Sequence, residues 1–260
     1  MKTDICVLCR QHNPLCKSHV IPNSIFRGIF KKASGKAIAL SSKEDTPIAY
    51  SQESYASRLL CKSCEQKIDL NYEKYSLNVL RGIEGKTSIE EKGVKFKDIN
   101  TKKIRDFIAT IIWRAHHSEN DVFRIIKIKP QQQEEMRLAF LINNPLSNSS
   151  YKVIMYKLRD STSNGFSNES FRDYMMTPFI RKNQFGRTSY NSYVITLLGY
   201  FFELFIPPVG QTIPNNSFHL CNKTHEYLCP YIEILDIPEI VQVLGRNIEK
   251  QKTGLSNISS

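Results

Sequence analysis

The sequence predicts an α+β protein in two parts, a zinc-stapled module at the N-terminus and a larger mixed α+β domain behind it. Three observations carry that reading. Two Cys-x2-Cys pairs, Cys6/Cys9 and Cys61/Cys64, lie in the first 80 residues. Helical and strand-like apolar periods both occur through the rest of the chain. A Gly-, Lys- and Glu-rich stretch without sustained period, 82–100, reads as a linker between a module at 1–81 and a domain at 101–260.

The elements follow in order. After the first knuckle, the apolar pair Val20–Ile21 closes a short strand at Pro22. Ser24 to Lys32 predicts a helix with Ile25, Phe26, Ile29 and Phe30 on one face. Residues 33–57 are small and polar and predict a hairpin or an inserted loop. The second knuckle opens a helix on which Ile68, Tyr72, Tyr75 and Val79 recur at helical spacing. Lys102 to His117 is an amphipathic helix with the stripe Ile104, Phe107, Ile108, Ile111 and Ile112. Gln131 to Leu141 predicts another helix, closed by the turn Asn143-Asn144-Pro145. Residues 151–158 and 192–206 predict strands, 237–250 a last helix, and the tail TGLSNISS a frayed end.

With 41% hydrophobic and 23% charged residues, the composition is that of an ordinary globular protein. The longest apolar stretch, 200–209, is broken by Glu203 and by Pro207–Pro208, so no membrane span is expected. No apolar leader precedes Cys6, and seven cysteines with two CxxC pairs suit metal binding in a reducing compartment better than a disulfide framework. A cytoplasmic protein is therefore expected. The net charge of +11 is spread over both halves, +6 to residue 100 and +5 beyond, and favours a polyanionic partner, nucleic acid above all. Arg27, Lys31, Lys32 and Lys62 are the cations expected to contact its phosphates.

Each CxxC presents two thiolates from a tight turn, so Cys6, Cys9, Cys61 and Cys64 together supply the four corners of a structural Zn²⁺ site. The 51 residues between the pairs exceed a compact ribbon, so something folded lies between them. Cys16 is read as a core or reactive thiol outside the set.

The order CVLC (6–9), SHVIP (18–22), LLCKSCE (59–65) resembles the zinc-stapled branch of the HNH, or ββα-metal, endonuclease superfamily over roughly residues 1–80. The resemblance implies that His19 is the general base that deprotonates the attacking water. It implies that Glu65, directly after Cys64, binds a catalytic Mg²⁺ or Mn²⁺. Ser18 stands where that family often has a metal-binding carboxylate or imidazole, and Asn23 or Asn71 could supply its middle asparagine. Glu73, eight residues past Glu65, is either a second carboxylate on the same helix face or a solvated charge. The function implied is DNA hydrolysis, in the manner of restriction or antiphage-defence effectors. Two rivals stand beside it: a catalytically inactive zinc-stabilised module that binds nucleic acid or protein, and a thiol sensor.

The second half resembles no family. Arg114, His116 and His117 either end a helix favourably for its dipole or line the cleft, while Trp113 is expected in the core. His219, Cys221, His225 and Cys229 could form a second metal site or be buried cysteines beside surface histidines. The aromatic and basic residues of 171–193 suit nucleobase stacking or strand packing equally, and this half is assigned to substrate engagement or partner-protein docking.

Overall fold

The computed structural model describes residues 4–143, 151–185, 188–206, 218–220 and 226–258. The mixed α+β class stands, and the four cysteines are brought together.

In the N-terminal part, β1 (Asp4–Ile5) pairs with β2 (His12–Asn13) and the turn between them forms the first knuckle. Arg10 takes a φ of 58° there, and its N–H returns to the Cys6 carbonyl at 2.8 Å. Strand β3 (Leu15–His19) pairs antiparallel with β6 (Ala56–Cys61), His19 opposite Ala56. A bulge between Leu15 and Lys17 holds Cys16 apart from the four-cysteine cluster. Between these strands lie α1 (Asn23–Lys32), which buries Ile25 and Phe26, and the small hairpin β4 (Ala37–Ala39)–β5 (Ala49–Ser51). Strand β6 runs directly into α2 (Lys62–Ile68), a π-helical turn (Asp69–Glu73) and α3 (Lys74–Leu80).

The expected linker is a correction. Residues 86–97 form the hairpin β7 (Lys86–Glu90)–β8 (Gly93–Lys97), and β8 pairs with β13 (Glu226–Glu233) in a seven-stranded sheet. The hairpin escaped the periodicity because all of β7 faces solvent, so only Val94 and Phe96 show alternation. The remaining strands are β9 (Lys152–Arg159), β10 (Met176–Phe185), β11 (Thr188–Leu197) and β12 (Tyr200–Phe205), in the order β10-β11-β12-β9-β13-β8-β7. The single strand expected over 192–206 is thus two. Leu198 and Gly199, with φ of 54° and 79°, make the two-residue turn between them.

The sheet sits between helices because its strands are apolar on both faces. On one face Val153, Met155, Ile195, Phe202 and Leu204 join the core that runs through α4 (Thr101–His117) into the N-terminal part. On the other, Leu158, Val194 and Phe201 pack against α6 (Asn168–Asp173) and α7 (Pro238–Lys252) through Phe171, Ile237 and Ile240. α5 (Pro130–Ile142) lies across α4, with Phe140 edge-on to Trp113. α4 is buried on nearly every side and not only along its stripe, since it is wedged between the four-cysteine module and the sheet. Its polar residues are paired inside: Arg105 Nε donates to Asp106 at 2.9 Å, and the Tyr151 hydroxyl donates to the same carboxylate at 2.6 Å.

The tail is a second correction. Leu255 and Asn257 hydrogen-bond to either side of Ile48, and Lys250 donates to the Ser41 and Lys43 carbonyls at 2.8 and 2.6 Å. The end of the described chain is tied to the loop between β4 and β5. Of the predicted turn, Asn143 caps α5 with a φ of 52°, while Asn144 and Pro145 lie outside the described residues.

Candidate metal centre and the polar site beside it

The four ligands come from two local devices. Cys6 and Cys9 sit on the turn after β1. Cys61 ends β6 and is the N-cap of α2, with Cys64 in the first turn, where the helix dipole favours thiolates. The four sulfurs lie within 4.8 Å of one another, and Cys9 Sγ to Cys61 Sγ is 3.9 Å. A tetrahedron with ~2.3 Å metal–sulfur arms places its corners roughly 3.8 Å apart, so the cluster has the dimensions of a structural Zn²⁺ site.

The thiols of the cluster shift in opposite directions. Burial pushes the Cys61 thiol up, but hydrogen bonds from Ser63 and Cys64 outweigh it and bring it down to about 7. Burial and the neighbouring thiols push Cys64 far up, because four clustered sulfurs cannot all ionise without a positive charge among them. α5 secures the first knuckle: Arg137 donates to the Leu8 carbonyl at 2.6 Å and pairs with Glu134, which also meets Arg10.

Ser18 is fully buried, and its hydroxyl explains itself by two contacts. It accepts the Leu60 N–H at 3.2 Å and donates to Glu65 Oε2 at 2.8 Å. Ser18 therefore positions the carboxylate that follows Cys64, a role that the expectation of a weak metal ligand did not include.

Glu73 is not a solvated charge. Its side chain is only 12% exposed, and Oε1 lies 2.5 Å from Arg114 of α4 as an ion pair without hydrogen-bond alignment. Burial raises its pKa, against the pull of Arg114 and with a smaller push from Glu65. The π turn brings Glu73 nearer the Glu65 face than an unbroken α-helix would. Eight residues of unbroken α-helix make about 2.2 turns, leaving Glu73 roughly 80° away from Glu65. A turn with i→i+5 bonds takes more residues per revolution and reduces that overshoot.

His19 stands beside Ser18 at the end of β3, half-buried. Its pKa is lowered, first by burial, then by Lys17 and Arg114, with Arg27 adding and Glu73 opposing. Burial and these cations thus favour the neutral imidazole. Among these cations is Arg114, for which the sequence left a helix-end and a cleft-lining reading open. Its signal was present, since it falls three residues after Ile111 and seven after Phe107, on the buried stripe itself.

Other expected residues fall elsewhere. Arg27, Lys31, Lys32 and Lys62 are exposed, and Lys32 pairs with Asp173 at 3.0 Å. Among the described residues, no hydrogen bond joins Asn23 or Asn71 to His19 or Glu65. His116 Nδ1 accepts the Ile128 N–H at 3.3 Å, and His117 lies edge-on to the core residue Trp113. Both rings pack into the connection between α4 and α5 and away from a cleft-lining role. His219 is buried against Phe205, and the Cys229 thiol donates to the Met155 carbonyl at 3.4 Å. Cys221 and His225 lie outside the described residues. In the 171–193 stretch, Phe171 and Tyr193 are core and Tyr174 and Phe179 pack against it, so core packing accounts for these aromatics. No helix among the described residues is long and apolar enough to cross a membrane.

No protein-family model, no curated protein and no solved structure matches this chain.

Proposed function

We propose that the chain hydrolyses phosphodiester bonds of nucleic acid, with DNA the favoured substrate and His19 the general base. The observation that carries this reading is the Ser18–Glu65 contact at 2.8 Å, which fixes a carboxylate against the strand whose next residue is His19. A neutral imidazole near Lys17 and Arg27 suits an anionic substrate: these exposed cations draw the phosphodiester in, and burial favours the unprotonated base.

The donor set fits a divalent cation held through Glu65, with water completing the shell as Mg²⁺ and Mn²⁺ prefer. Glu73 already carries the Arg114 guanidinium as its counter-ion and is the poorer ligand. When bound, such an ion supplies charge stabilisation to the pentacovalent phosphorus and the leaving oxygen. The chain's own residues do the rest. His19 takes the proton of the attacking water, Ser18 fixes the carboxylate, and the zinc staple holds β6 and α2 in register with β3.

The test is plasmid nicking in the presence of Mg²⁺, Mn²⁺ or Ni²⁺. Wild type should nick, and His19→Ala should lose activity by about 10²-fold or more with zinc content and circular dichroism unchanged. A binding module without catalysis is the second reading, and the pairing of Glu73 with Arg114 favours it by leaving Glu65, of these two carboxylates, to hold the ion. Binding to DNA without nicking under any of the three metals would decide for that module.

A further inference from the structure

Strand β7 closes one end of the seven-stranded sheet, and every one of its five residues is exposed, Ile89 at 86%. The geometry of its hairpin fixes which backbone groups aim outward. Glu90 and Gly93 flank a two-residue turn and form the closing hydrogen-bonded pair, as do Ser88 with Lys95 and Lys86 with Lys97. Pro230 agrees with this phase, since it stands opposite Gly93 on the far side of β8, where no N–H is needed. Thr87 and Ile89 are left to direct their N–H and C=O groups at the open edge. That is a template for another strand.

The side chains select which strand. We propose that β7 pairs antiparallel with β7 of a second copy of this chain, about a two-fold axis at Ser88. In that register Thr87 faces Ile89 of the other copy, and the two exchange both outward hydrogen bonds. Lys86 faces Glu90, and the symmetry repeats that pair. The neighbouring registers that keep the same phase are disfavoured: one sets Glu84 against Glu90, the other Lys86 against Lys92. Within its own chain Lys86 stands opposite Lys97, and its pair with Asp98 is exposed and 3.6 Å long. A second copy offers it the better partner. Ser88 holds the Glu90 carboxylate at 3.1 Å on the face from which Lys86 of the other copy would approach.

A five-residue strand covers well under the ~800 Å² per partner of a stable complex, so the association is weak and concentration-dependent. Sedimentation velocity of the full chain over a concentration series, at low and at high salt, reads it directly. Wild type should dimerise reversibly and less strongly at high salt. Lys86→Glu and Glu90→Lys should each weaken dimerisation about tenfold, because each substitution sets like charges together twice. The double variant should restore it. Amide exchange at Thr87 and Ile89 should slow as concentration rises, while that at Ser88, already bonded to β8, should not change. A monomer at all concentrations overturns the proposal, as does a dimer that both single reversals leave intact.

Discussion

Ser18 shows how a residue's chemistry depends on what tertiary structure places beside it. A buried hydroxyl with one acceptor and one donor partner is fully satisfied, and both partners depend on it. In Ser18→Ala the Leu60 N–H is left buried without an acceptor, at a cost of about 1–3 kcal/mol, and Glu65 loses the contact that orients it. Urea unfolding should register that loss, and titration with Mn²⁺ should show weaker binding at the site proposed on Glu65. Unchanged Mn²⁺ affinity would remove Ser18 from its positioning role. The partner of Ser18 lies 47 residues away, which is why the sequence showed the serine without its purpose. Arg114 and Glu73 were obscured in the same way: each looked like an ordinary charge on its own helix, and only the packing of α4 on the π turn made them a pair.

At the level of elements, legibility followed local signal. The cysteine knuckles, α1, α4 and β9 were readable because their chemistry or apolar period is contained within a few turns. The π turn was not, because Ile68 and Tyr72 suit an α-helix equally, and the hairpin β7–β8 was not, because an edge strand with no buried residue has no period to read. The four-cysteine cluster joins the β1 knuckle to the β6–α2 corner, beside the bond from the Val7 N–H to the Leu59 carbonyl at 3.1 Å. One Zn²⁺ per chain is expected by metal analysis. Chelation, or Cys64→Ser, should lower the melting temperature on the order of 10 °C. Complete unfolding is not expected, because the core of Val20, Leu59 and Ile68 continues without interruption into α4 and the sheet. A melting point that is indifferent to chelation would show that the four sulfurs hold no structural ion.

Four histidines of the described chain are partly or fully buried and shifted down, and this has a consequence for its stability. His19 and His116 are lowered, and His117 and His219 are brought to about 4, in every case first by burial. A histidine depressed in the folded state binds fewer protons than it does unfolded, so its stabilising contribution is full above the ordinary value near ~6.5 and is lost as the pH falls below it. Glu73 and Glu203 oppose this, because burial raises them and acidification favours their folded, protonated forms. His117 and His219, brought to about 4, set the balance as a loss on the acid side. The urea midpoint should therefore fall between pH 7 and pH 5 with an unchanged m-value, under conditions where the zinc content is verified as constant. His117→Phe keeps the aromatic contact with Trp113 but cannot titrate, and it should flatten that fall. A midpoint equal at both pH values, or a slope that His117→Phe leaves untouched, would mean that these rings meet enough water in the folded chain to charge there as freely as in the unfolded one.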